Sequence, residues 1–208
     1  MVSTIDKLEH LKNLVNLAKL KDAESEVVFQ INNISWNQYE KLLCLLEDSS
    51  RIKIKYLQEN LVIMSPSRIH EFDKKIIGIL LEAYFFTKKI RFYPLGSTTF
   101  KNQIIQRGIE PDQCYCINTN KDIPDIAIEV IVPSGGINSL EIYQGLGVKE
   151  VWFWERKKLS IYVLENENYT KMNNSSLLPD LDINLFTDYL CYDEPFDAVL
   201  EFQQKISS

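Results

Sequence analysis

Residues 126–132, Ile126-Ala127-Ile128-Glu129-Val130-Ile131-Val132, hold one acid inside an otherwise aliphatic run. The run is too short for a typical helix and rich in β-branched residues. It predicts a strand buried on both faces, at the centre of a sheet with helices on either side. A carboxylate there is costly to desolvate unless a cation, a metal or several donors compensate it. Upstream, Pro111-Asp112 opens a second predicted strand, Gln113 to Ile117, and brings another carboxylate within reach. Two carboxylates converging from neighbouring strands suit a divalent metal that takes hard oxygen ligands, such as magnesium. The competing reading of Glu129 is a structural ion pair with a buried Lys or Arg.

A chain of 208 residues is long enough for one well-filled core. The expected organisation is an N-terminal helical arm over 1–25 and a single α/β domain over 26–208. A hydrophobic content of 45% and a charged content of 25% are those of an ordinary soluble globular protein. No apolar run approaches the roughly 20 residues a membrane helix needs. The first residues lack the basic start and apolar stretch of a secretion signal. Cys44, Cys114, Cys116 and Cys191 follow no zinc spacing. Cys114 and Cys116 share one face of a predicted strand, where a bridge is geometrically disfavoured. All four are read as reduced core residues of a cytoplasmic protein.

The net charge of −6 is unevenly spread. Residues 51–107 hold eleven Lys/Arg against four acids, whereas residues 161–208 hold nine acids against two lysines. Such asymmetry permits a basic face for a polyanion, with Arg68, Lys74, Lys75, Lys88 and Lys89 its expected members. Ordinary solvated helix and strand faces are the competing explanation.

Ile5, Leu8, Leu11, Val15 and Ala18 form one stripe of an amphipathic helix over 5–20, an arm for the body or for a partner. Glu26 to Asn32 reads as a strand. Ser35 caps a helix through Leu46 that buries Tyr39, Leu42, Leu43 and Leu46. Arg51 to Leu57 and Leu61 to Met64 form a hairpin about Glu59-Asn60 with one wet face. Ser67 caps a long helix, Arg68 to Thr87, with Phe72, Ile76, Leu80, Ala83 and Tyr84 facing inward. Two strands flank the Pro94-Leu95-Gly96 turn. Ser134-Gly135-Gly136 breaks the chain before a helix near Asn138 to Leu146, which Gly147 ends. Strands over Lys149 to Trp154 and Leu159 to Leu164, turned at Lys157-Lys158, precede Asp182 to Leu190, which begins a closing helical region. The order predicts an α/β sandwich with a mixed sheet.

Glu110-Pro111-Asp112, Pro124-Asp125-x-x-x-Glu129-Val130 and Gly145-x-Gly147-Val148-x-Glu150-Val151-Trp152, in this order, resemble the Uma-two family of the PD-(D/E)XK nuclease superfamily. The similarity runs from about Trp36 to Leu190 and includes His70-Glu71 and Leu178-Pro179-Asp180-Leu181. It implies a restriction-endonuclease-like fold, a mixed β-sheet flanked by helices, and a Mg²⁺ or Mn²⁺ site for hydrolysing DNA phosphodiesters. Asp112 and Glu129 would ligate the ion, with the Val130 carbonyl a third ligand and Glu71 supporting from the long helix. The superfamily's lysine, two residues after the glutamate, is replaced by Ile131. Relatives are read as carrying it in the following helix, where this chain has Ser139. That substitution implies slow turnover, or a degenerate nuclease fold that binds nucleic acid or protein without cutting. DNA is the implied partner, and homo-oligomerisation is left open.

The individual acids have plainer readings too. Asp112 is also a candidate turn cap after Pro111, and Asp125, at a strand start, is read as a turn cap more than a ligand. Glu71 is as consistent with an i,i+4 pair to Lys75 as with a site role. His70 lacks a second histidine nearby for metal ligation. Trp152 and Trp154 read as core. Serine-hydrolase and phosphate-loop chemistries are disfavoured, since G-x-S-x-G and G-x-x-x-x-G-K-[ST] are both absent.

Overall fold

The computed structural model describes residues 9–16, 26–46, 52–96, 98–131 and 137–207. In chain order its elements are a helix α1 (9–16), β1 (Val27–Ile31), α2 (Trp36–Leu46), β2 (Lys53–Leu57), β3 (Asn60–Ser65), α3 (Arg68–Lys88), β4 (Phe92–Pro94) and β5 (Phe100–Asn102). These are followed by β6 (Arg107–Ile109), β7 (Gln113–Ile117), β8 (Ile126–Val130), α4 (Ser139–Leu146), β9 (Glu150–Glu155), β10 (Lys158–Glu165), β11 (Asn168–Met172), α5 (Ile183–Leu190) and α6 (Pro195–Ser207). They divide between two compact units. The first comprises Met1–Ile69, Thr99–Glu110 and Pro133–Gly145; the second comprises His70–Thr98, Pro111–Val132 and Leu146–Ser208.

The first unit is built on an antiparallel sheet in the order β1-β3-β2-β6-β5. Its core gathers Leu11 and Val15 of α1, Trp36, Tyr39 and Leu42 of α2, and Tyr56, Leu61 and Ile63 of the sheet. Ile5, Leu8 and Ala18 of the predicted stripe lie outside the described residues. Ser35 starts α2 through a reciprocal box: its amide donates to Gln38 Oε1 at 2.9 Å and its hydroxyl accepts the Gln38 amide at 3.4 Å. The Tyr39 ring stacks on Tyr56 with centroids 4.6 Å apart. β6 passes this ring at Gly108, where an added Cβ would stand 2.1 Å from the Tyr39 hydroxyl oxygen.

Gln58 and Glu59, with φ of 44° and 68°, make the β2–β3 turn, one residue earlier than expected. Positive φ at both positions matches the strand twist. The expected wet face is not found, because β2 is an inner strand and even Lys53 is buried. Alternating lysines mimic a solvated face in sequence, yet their alkyl stems pack along a covered one.

The second unit is built on a mixed sheet in the order β11-β10-β9-β8-β7-β4. Every pair is antiparallel except β8 with β9. β8 is thus central, as its composition requires, and every one of its residues is buried. The pleat sorts them. Ile126, Ile128 and Val130 join a core with Trp152 and Trp154 of β9, Ile77, Leu80, Leu81 and Tyr84 of α3, Phe186 of α5 and Phe202 of α6. Ala127 and Glu129 therefore point to the opposite face.

The expected α/β class holds, with a mixed sheet and packed helices. The strands nevertheless form two sheets where the sequence suggested one, since β4 pairs with β7 and β5 with β6. β6 and β11 have no counterpart in the sequence reading, whereas α5 and α6 make up the closing helical region expected to begin at Asp182. Phe72 is 49% exposed rather than inward: the buried arc of α3 is centred on Ile77, Leu81 and Tyr84, and Phe72 lies on the far side. Cys114 and Cys116 are buried and unbridged, but Cys44 is exposed. Ser134-Gly135-Gly136 lies outside the described residues. Gly147, with φ of 79°, ends α4 as expected. Among the described residues no helix is long and apolar enough to cross a membrane.

Candidate metal and nuclease site

Asp112 immediately precedes β7, and Glu129 is the penultimate residue of β8, which pairs antiparallel with β7. The Asp112 amide donates to the Ile128 carbonyl at 3.1 Å. Its Oδ2 accepts the Val130 amide at 2.8 Å. The carboxylate thus sits where the ladder's next acceptor would be, bound to the residue directly after Glu129. Its Oδ1 lies 2.9 Å from His70 Nε2. Both acids are buried, each 1% exposed, and both belong to the second unit.

His70, in the first turn of α3, is the residue whose role the sequence concealed. It is not a ligand candidate beside a second histidine. It is the buried partner that fixes the orientation of Asp112 from 42 positions away. Glu71, next to it, is partly exposed and pairs with Lys74 at 3.5 Å, not with Lys75. Lys74 itself is buried, which removes it from the expected basic face.

Ser139 opens α4 in the first unit. Its hydroxyl accepts a 2.9 Å hydrogen bond from the Lys55 ammonium on β2. Position 139 therefore has a cation beside it although it is not itself a lysine. Lys101 pairs with Glu40 at 3.0 Å.

The PD dipeptide of Pro124-Asp125 does structural work. Asp125 is buried, and its Oδ2 accepts the Ile117 amide at 2.8 Å. It pairs with Lys121, and with Lys149 at 2.9 Å. Burial raises its carboxyl, but the hydrogen bonds from Lys121, Ile117 and Lys149 outweigh that and hold it below the ordinary 3.8. A carboxyl depressed in the fold stabilises the protein above its unfolded value, and the gain is lost as pH falls through the folded value. Asp125→Asn should therefore melt lower than the native chain at pH 7. The difference should shrink in melts taken stepwise towards pH 3; a gap constant across that range would remove the ion-pair account.

Glu150, the first residue of β9, is fully buried. It accepts from Trp152 Nε1 at 2.9 Å and the Ser175 hydroxyl at 2.8 Å. The Ser176 amide and hydroxyl, each at 2.6 Å, and the Leu177 amide at 2.9 Å complete its set. This carboxylate organises the loop before Leu178-Pro179-Asp180-Leu181. Trp152 and Trp154 are core residues, as expected.

A mixed α/β sheet whose central strand carries a buried glutamate beside an oriented aspartate is an architecture of restriction-endonuclease-like domains. The family model "Uma2: Putative restriction endonuclease" matches residues 36–188, well over half of the sequence, and the chain belongs to that family. No curated protein matches it.

Proposed function

We infer that the protein is a divalent-metal-dependent endonuclease that hydrolyses DNA phosphodiesters at Asp112 and Glu129. The carrying observation is the Oδ2 contact of Asp112 with the Val130 amide, which sets two buried acids at one end of a central strand pair. A carboxylate out of water is costly unless a cation or several donors compensate it, and a divalent ion would compensate both.

Magnesium or manganese fits this donor set. Among the described residues no group of three or more His, Cys, Asp or Glu could hold a metal. An ion held by Asp112 and Glu129 would complete its shell with water and substrate phosphate. Asp112 and Glu129 would hold it, with the Val130 carbonyl as a third ligand and Glu71 as a supporting acid. Such an ion supplies a more acidic bound water and neutralises charge on the phosphodiester. His70 keeps Asp112 in one orientation.

The direct test is nicking of supercoiled plasmid with Mg²⁺, with Mn²⁺ and with chelator. Cleavage should need the metal, and DNA retention should weaken steeply with salt as phosphate contacts are screened. DNA binding without cleavage in either metal would overturn the hydrolytic reading.

A further inference from the structure

The outer face of α3 carries Phe72, Ile79 and Phe86, which are 49%, 48% and 71% exposed. They recur every seven residues, so they lie in one row along the helix. Contiguous exposed apolar patches mark interaction surfaces. Phe86 is further held by an edge contact with Phe92, centroids 5.4 Å apart. Nothing in the nuclease reading uses these side chains.

We propose that this row is a homodimer seam on which α3 of a second copy packs antiparallel. The row is symmetric about Ile79. Under a two-fold axis beside that residue, Phe72 of each copy meets Phe86 of the other and Ile79 meets itself, the self-complementarity an isologous interface requires. The flanking charges select the same arrangement. Lys75 and Glu82 are also seven residues apart, on one side of the row, and their midpoint nearly coincides with Ile79. In an antiparallel pair equivalent flanks face each other, so Lys75 of each copy lies level with Glu82 of the other and two ion pairs form at once. A parallel pair would instead set that flank against the one bearing the buried Ile76 and Ala83, which offer no charge to pair with. Arg68 and Lys89, at the row's ends, are the like-charged exception, and Lys89 has already left the helix with φ of 55°. Glu82 also accepts the Tyr115 hydroxyl at 3.1 Å, which holds it on this flank.

The experiment uses the full chain with Cys44→Ser, to remove the exposed native thiol, and light scattering after size exclusion. The native protein should run at twice the 24.3 kDa of one chain. Ile79→Lys should halve that mass without moving the circular dichroism spectrum. Oxidative cross-linking then fixes direction. Ile79→Cys should link to itself, whereas Phe72→Cys should link to Phe86→Cys in a mixture and not to itself. A monomeric native chain, a dimer that survives Ile79→Lys, or self-linking of Phe72→Cys would each overturn the proposal.

Discussion

Glu129→Gln should abolish metal-dependent cleavage while the protein stays folded. The change is nearly isosteric and removes one ligand charge from the central strand. Lewis-acid stabilisation of a phosphoryl group is worth several kcal/mol, and each ~1.4 kcal/mol is tenfold in rate, so the expected loss is on the order of 10³-fold. A second readout separates metal binding from chemistry. An ion that binds only the folded state raises its melting temperature, so Mg²⁺ should stabilise the native chain and leave Glu129→Gln unmoved. Asp112→Asn should behave alike in both assays. Full cleavage by Glu129→Gln would exclude Glu129 as a ligand.

The largest loss of stability is expected at Glu150→Ala. Five hydrogen bonds converge on that fully buried carboxylate. Stranding a buried donor costs about 1–3 kcal/mol, and water that enters the vacated space recovers only part of it. A net loss of roughly 3–5 kcal/mol follows, or about 10 °C in melting temperature at ~2–4 °C per kcal/mol for a chain of this size. Glu150→Gln keeps one acceptor oxygen and should lose less. A denaturant titration in which Glu150→Ala costs under about 1 kcal/mol would be incompatible with the hub. The comparison also distinguishes the two glutamates, since Glu129→Gln should stop cleavage with little change in stability.

Sequence pattern made some of these residues legible and hid others. Glu129 stood out because a lone acid among aliphatic residues breaks the pattern that made the segment a strand. Asp112 was visible through Pro111 and its neighbouring strand. His70 was not, because its partner lies in another element and no local spacing joins them. Glu150 falls within the Gly145 to Trp152 motif, yet four of its five donors come from residues 175–177, a stretch with no periodic signal. The docking of Lys55 on Ser139 was equally invisible, as 84 positions separate them. Phe72 misled because apolar identity was taken for burial, although Tyr84 and Leu81 place the covered arc of α3 elsewhere. The second sheet was missed for a related reason. Short strands such as Arg107–Ile109 have too few residues to show a period, and pairing partners are chosen by the whole fold.

The interleaved path of the chain bears on how it is made. It passes between the two units five times, so no single truncation yields either one as a continuous fragment. On a ribosome, the β2–β3 hairpin emerges well before β6, the strand that covers the free edge of β2. About 40 residues separate Ser65 from Arg107, which at ~5–20 residues per second is roughly 2–8 s of synthesis. Throughout that interval the edge of β2 offers unsatisfied backbone groups to any passing strand. The buried Lys53 and half-buried Lys55 along it would still be solvated then, and their charge discourages such pairing until β6 arrives. These lysines thus act as gatekeepers during translation and as packed stems afterwards.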